Sequence, residues 1–275
     1  MRFVAVGDVL VDVLCAALPR PNGRVHADVS IRAGGSAVNA AAAAARAASS
    51  AAVVGRVGND SVGELVAAEL LGLGVEARLA RDPELPTGVA VSLGSDPTRP
   101  SVVANRGASA RLSPDDIPDL SDADALFVSG FALFQSGSAE AAGTALEGFE
   151  GWAGIDVGSP GLAGAARDYE RGGRTVLLAT ADEARALTNE EPEDAAQTLA
   201  SRFAVACVKL GEQGAITVAG TQVERVSVEP VERRSPFGAG DAFGAALLVE
   251  LARGAELGVA AEAACAAGAA AASRT

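Results

Sequence analysis

Histidine, lysine, tryptophan, tyrosine and methionine each occur once in 275 residues, and that scarcity removes several chemistries at once. His26 lies in a polar loop beside Asn22 and Gly23, where nothing supports a Ser-His-Asp triad. Lys209 is the only lysine, so 21 of the 22 basic residues are arginine, set against 35 Asp and Glu for a net charge of −13. No basic patch is dense enough to track a nucleic acid, and an anionic membrane is an equally poor partner. Cys15, Cys207 and Cys265 are widely spaced among Ala, Val and Leu, which fits buried thiols in a reducing cytosol and not a disulfide frame or zinc site. The Ala-rich tracts 40–48 and 259–272 are short, carry Arg46 and Glu262, and read as closely packed helices, not bilayer spans. Met1 leads straight into a strand-like run interrupted by Asp8 and Asp12, so no signal peptide is expected and the cytoplasm is the expected location. Gly-x-x-x-x-Gly-Lys-Ser/Thr occurs nowhere, the first strand lacks a Gly-x-Gly-x-x-Gly turn, and no interior linker or repeat of 20–50 residues divides the chain.

What is present is a rhythm of short apolar runs followed by Ala/Leu/Glu-rich stretches. Residues 3–6, 52–54, 126–129, 154–157, 175–179 and 205–210 read as buried strands, and the segments after them as helices. Repeated strand-helix order predicts a three-layer α/β/α architecture around a mostly parallel central sheet, with ligands at the carboxyl ends of strands. Residues 9–32 and 87–105 break the rhythm with apolar-polar alternation and turn signals, predicting a small separate β-sheet. The whole of 1–275 is read as a single α/β domain carrying that sheet.

The segment Ser235-Pro-Phe-Gly-Ala-Gly-Asp241 runs directly into an apolar helical stretch. Glycines let consecutive amides point at one spot and the helix adds its positive end, so Gly238, Ala239 and Gly240 form an anion cradle. A carboxylate beside such a cradle handles a proton or a metal, and Asp241 is read as a general base; the plainer reading is an acidic residue charging a helix start. In a chain this acidic, an anionic nucleotide needs a locally inverted field, which gives the glycine loops added weight. Gly7-Asp8-Val-Leu-Val-Asp12 puts two carboxylates near the site mouth, suited to vicinal hydroxyls or to strand-end turns. Ala33-Gly34-Gly35-Ser-Ala-Val-Asn39 allows close ligand approach, a hinge, or an ordinary helix start. Glu183 follows a strand end and either addresses Mg²⁺ through water or is one more surface carboxylate at a helix start. Val208-Lys209-Leu-Gly211-Glu-Gln-Gly214-Ala is a strand, a glycine turn and a strand, either lining a nucleotide or serving only as a hairpin. Arg106 is placed to meet a substrate carboxylate or phosphate, or simply solvent.

Taken together, Gly-Asp-x-x-x-Asp at 7–12, Gly34-Gly35 with Asn39, Thr87-Gly88, Lys209-Leu-Gly211 and Gly238-Ala-Gly-Asp241 resemble, in order and spacing, the ribokinase-like (PfkB) carbohydrate kinases over nearly the whole chain. The resemblance implies an ATP-dependent kinase acting on a sugar or nucleoside hydroxyl, with an α/β core and a β-sheet lid. It implies Asp241 as catalytic base, Gly238–Gly240 as anion hole, and Asp12, Gly34, Gly35 and Asn39 as sugar contacts. Lys209 and Gly211 would lie near ATP, with Gly214 in the same turn, and Glu183 near Mg²⁺ and the phosphates. A homodimer through the lid is a further implication. Three departures stand out. Thr180 replaces the Asn of the family's Asn-x-x-Glu. Ser235-Pro236 replaces Asp-Thr, which leaves potassium activation doubtful. The chain closes at Ser273-Arg-Thr275 without the loop that covers adenine in the family, so altered nucleotide affinity is expected.

A sugar kinase is the leading reading. A nucleoside kinase of the same fold would call for aromatic stacking, poorly supplied at 4% aromatics. A non-catalytic sugar-binding protein on a kinase scaffold is favoured by the departures and opposed by the intact Asp241, whose pKa is expected to be ordinary or slightly lowered at its helix start.

Overall fold

The computed structural model describes residues 1–94, 101–229, 231–232 and 237–273. The strands are β1 (Arg2–Val6), β2 (Leu10–Cys15), β3 (Val29–Gly34), β4 (Ser50–Gly58), β5 (Val75–Asp82), β6 (Thr87–Leu93), β7 (Ser101–Gly107), β8 (Ala125–Ser129), β9 (Trp152–Asp156), β10 (Thr175–Thr180), β11 (Val205–Lys209), β12 (Ala215–Ala219) and β13 (Gln222–Val226). The helices are α1 (Ser36–Ala44), α2 (Ser61–Gly72), α3 (Gly130–Leu133), α4 (Ala139–Leu146), α5 (Ala163–Ala166), α6 (Ala181–Thr188), α7 (Pro192–Ala200), α8 (Ala239–Ala252) and α9 (Leu257–Ala272).

One nine-stranded sheet runs β13-β12-β11-β10-β9-β8-β1-β4-β5. It is parallel from β11 to β5, and β12 and β13 add an antiparallel edge. Side chains of a strand alternate between faces, so each buried strand feeds two cores. Phe3, Ala5, Val53, Phe127, Leu178 and Cys207 point into the layer that holds residues of α1, α2, α8 and α9. Val4, Val6, Val54, Val128, Leu177 and Val208 point into the layer that holds residues of α3 to α7. This is the three-layer architecture that the apolar runs predict.

Small residues let helix α8 lie close to the sheet. A Cβ on Gly244 would come within 2.7 Å of Leu178 Cδ1, and one on Gly154 within 2.6 Å of Leu248 Cδ1. Close approach matters because α8 carries Asp241 in its first turn.

The two stretches that break the rhythm pair as a second sheet, β3-β2-β6-β7. Its root is fixed to the main body. Asp60 accepts from Thr87 N at 2.8 Å and from Thr87 Oγ1 at 2.7 Å, while Ser109 Oγ donates to Val9 O at 3.0 Å. Among the described residues no helix is long and apolar enough to cross a membrane. Ser235 and Pro236, on which the potassium expectation turns, and the terminal Arg274 and Thr275 lie outside the described residues.

Leu178 is fully buried between β10's neighbours and α8. Leu178→Ala should cost about 2–5 kcal/mol, read as a lowered urea midpoint at unchanged slope.

Candidate active site

The carboxyl ends of β1, β9, β10 and β11 converge near the start of α8. Strand β1 leads into Asp8, β9 ends at Asp156, β10 at Thr180 and β11 at Lys209. In open α/β sheets ligands gather here, where strand order reverses between β8 and β1.

Gly238 caps α8 with φ +88°, a left-handed conformation that favours glycine. The next amides, at Ala239, Gly240 and Asp241, open the helix and have no carbonyl one turn back within it. Asp241 Oδ2 accepts from Asn39 Nδ2 at 3.0 Å, which ties the first turns of α1 and α8 together. Asp241 keeps part of its surface open, yet protein surrounds it deeply enough that desolvation dominates. Burial pushes its carboxyl up to about 7; the nearby Asp156 and Asp12 charges add to this, while Asn39 and Lys209 oppose it. The expectation of an ordinary or lowered value therefore fails, because the dipole of one helix start does not repay the lost hydration.

Gly34 and Gly35 are required by the protein's own packing. A Cβ on Gly34 would fall 2.1 Å from Asp12 Cγ, and Gly35 has φ +93° with the Asp8 carbonyl 2.3 Å from the place of a Cβ. Asp12 is buried, its Oδ2 finds no hydrogen-bond partner among the described residues, and desolvation raises its pKa to about 6 against the lowering influence of Arg32. A buried orphan carboxylate oxygen is costly unless something fills its lone pairs.

Asp8 and Arg106, read separately in the sequence, meet each other. Arg106 Nε and Nη2 donate to the two Asp8 oxygens at 2.8 and 2.7 Å, Nη1 donates to Gln135 Oε1 at 3.1 Å, and Nη2 also donates to Ser138 Oγ at 2.8 Å. The guanidinium is thus engaged by protein at the root of β7, not solvated.

Thr180, where Asn opens the family motif, caps α6: its Oγ1 accepts from Glu183 N at 3.3 Å while Glu183 Oε2 accepts from Thr180 N at 2.7 Å. Glu183 is buried, and its carboxyl is pushed above the usual range by desolvation and then by Asp156, with Lys209 and the Thr180 bonds opposing. Lys209 Nζ donates to Asp156 Oδ1 at 2.7 Å. Burial alone would lower the lysine's pKa, but Asp156, Glu183 and Asp241 outweigh it and hold the ammonium charged. Lys209, Gly211 and Gly214 line a cavity of about 420 Å³ with Ala239, Gly240 and Phe243. A cavity of about 510 Å³ lies beyond Gly238 and Asn39. A further cavity of about 600 Å³ sits near the amino ends of β8 and β9 among 117–123 and 144–151, away from all of these groups. Asp156 escaped the sequence reading, although an acidic residue closing the apolar run Trp152-Ala-Gly-Ile is a signal under the strand-end rule.

The model of the pfkB family carbohydrate kinases matches residues 2–275. The chain belongs to that family. No curated protein sequence matches this kinase. Among solved structures, it is similar to a putative ribokinase II from E. coli in complex with ATP and Mg²⁺, at 23% identity and TM-score 0.84 over 100% of this chain and 93% of the other. A fructokinase double mutant from Vibrio cholerae O395, in its fructose-, ADP- and potassium-bound form, is 24% identical at TM-score 0.83, covering 100% and 93% of the two chains. The adenosine kinase from Sinorhizobium meliloti is 22% identical at TM-score 0.83, covering 97% and 92%. Likeness at these identities establishes the shared fold.

The raised Asp241 carboxyl sets two measurable expectations. If it must be ionised to act, kcat/KM should fall on the acid side with an apparent pKa near 7. Its folded-state pKa also lies above the unfolded value of about 3.9, so burial of the charge destabilises fully above pH 7 and relaxes as the pH falls toward 4. Asp241→Asn should therefore raise the melting temperature most at pH 8 and much less at pH 4.5. An equal gain at both would contradict the buried-charge account.

Proposed function

We propose that this kinase is an ATP-dependent sugar kinase in which Asp241 removes the proton of a sugar hydroxyl while the amides at Gly238, Ala239 and Gly240 hold the phosphoryl group in transfer. One observation carries the reading. A half-buried carboxylate occupies the first turn of a helix whose opening amides are not spent within it, between Asn39 on one side and the cavity of Lys209, Gly211 and Gly214 on the other.

On the acceptor side, Asp12 and Asn39 supply oxygen and amide groups, and Gly34 and Gly35 give the close backbone packing that seats Asp12 there. The Asp12 carboxylate accepts from a sugar hydroxyl. The oxygen stripped of its proton by Asp241 forms the new bond to phosphorus as the bond to the leaving ADP oxygen breaks, and the proton stays on Asp241. On the donor side, Lys209 and the start of α8 supply the local positive field that a chain of net charge −13 otherwise lacks. Among the described residues no three His, Cys, Asp or Glu are grouped to hold a metal. That donor set suits Mg²⁺ arriving on the nucleotide with its water shell, which Glu183 would meet through its uncapped oxygen. Bound there, the ion neutralises phosphate charge.

Strands β2, β3, β6 and β7 contain no Phe, Tyr or Trp, so the small sheet offers a nucleoside base no stacking platform, and this favours a sugar. We read that sheet as a lid. Asp12 acts on Asp241 from one face of the sheet; on the opposite face Val13, which packs against the main core, pairs with Ile31 and Val91, and Val91 with Val103. Ile31 is 57% and Val103 67% exposed. An outward apolar sheet face of this kind suits a second copy of the chain, which makes a lid-to-lid homodimer our reading.

Asp241→Asn should lower turnover by about 10²- to 10⁴-fold with the acceptor KM near its parental value; equal turnover would remove Asp241 from the mechanism. A panel of hexoses, pentoses, sugar acids and nucleosides, read by coupled ADP detection with and without K⁺, identifies the acceptor and tests the ion. Ile31→Glu with Val103→Glu should convert a dimer to monomer in light scattering, and a parent that is already monomeric would refute the lid dimer.

A further inference from the structure

Three neighbouring strands end side by side at the site, Asp156 on β9, Thr180 on β10 and Lys209 on β11. The ammonium of Lys209 is bonded to Asp156 at 2.7 Å, and both side chains are about nine-tenths buried. Its Nζ stands 3.2 Å from the point a Cβ on Gly240 would occupy, so the cation lies against the first turn of α8. A flexible four-carbon stem does not fix an ammonium by itself. Besides Asp156, the anions acting on it are Glu183 from α6 and Asp241 from α8.

We propose that Asp156 is a positioning residue, which holds the Lys209 ammonium beside Gly240, next to the phosphoryl group in transfer, and keeps it off the carboxylate of Asp241. The inference rests on the phosphoryl-transfer reading above. Asp156 sits two strands away from Lys209 and reaches it across the end of β10, so the pair holds the ammonium at the end of the sheet beside the first turn of α8. Without that anchor the cation turns to the next carboxylate. An ion pair with Asp241 would withdraw the charge from the phosphate and hydrogen-bond the base that the hydroxyl needs. Both losses fall on the reacting atoms and not on ground-state binding, so turnover falls while the Michaelis constants hold.

The test is a double-mutant cycle in the full chain: Asp156→Asn, Lys209→Met and the two combined, each with kcat and with KM for ATP and for the best acceptor. Asp156→Asn should lower kcat about 10²-fold with both KM values within about twofold, and Asp156→Glu, which keeps an anion for the lysine, should recover part of the loss. The double variant should be no slower than Lys209→Met, because the loss in Asp156→Asn runs through the lysine, while the direct charge of Asp156 only raises the Asp241 carboxyl and its removal favours the ionised base. It leaves neither partner of the pair charged and alone, so its comparison with Lys209→Met stands even where Asp156→Asn does not fold. Parental kcat in Asp156→Asn, a loss carried by KM, or losses that multiply in the double variant would overturn the assignment. Full turnover in Asp241→Asn would instead bring down the kinase mechanism itself, which separates the two failures.

Discussion

Four ionisable groups, Asp156, Glu183, Lys209 and Asp241, lie within electrostatic reach of one another where the sheet ends, and only one of them is a cation. Desolvating a charge is expensive, and three anions around a single ammonium do not cancel. The outcome is a site in which the lysine is held charged and at least one carboxyl is held near neutrality. Asp241 is the one of the three carboxyls that lies in the first turn of α8, at the positive end of that helix. The rest of the architecture serves to hold that arrangement: β9, β10 and β11 bring in Asp156, Thr180 and Lys209, and the Asn39 bond fixes α8 against α1.

Much of this was legible in the chain. Every buried strand named from an apolar run is present, because parallel strands covered on both faces cannot hide their composition. The small sheet could be inferred from the two segments that lack helical period. Gly238-Ala-Gly-Asp241 announced its helix start, since few other residues accept the backbone that Gly238 adopts. The family model then agrees over residues 2–275.

What was not legible depends on long-range contact. The Asp8–Arg106 pair joins residues 98 positions apart, and nothing local to either distinguishes it from a solvated loop arginine. Asp156 lies 53 positions from the lysine it binds. The upward shift of Asp241 arises from burial by several elements at once, and a rule about helix starts sees only one of them. The packing requirement at Gly34 was hidden in the same way: the atom that forbids a Cβ there belongs to Asp12, on the neighbouring strand. Thr180 shows the reverse case, a departure from the family pattern that is locally explicable, since threonine serves as an N-cap where asparagine also would.

The burial of Lys209 has a further consequence. Its side chain is only 11% exposed, and the chain has no other lysine, so the exterior presents guanidinium groups but no ε-amine. Acylation, ubiquitin-type conjugation and amine-directed cross-linking have no lysine on the surface to act on, and a reagent that does reach one has entered the site.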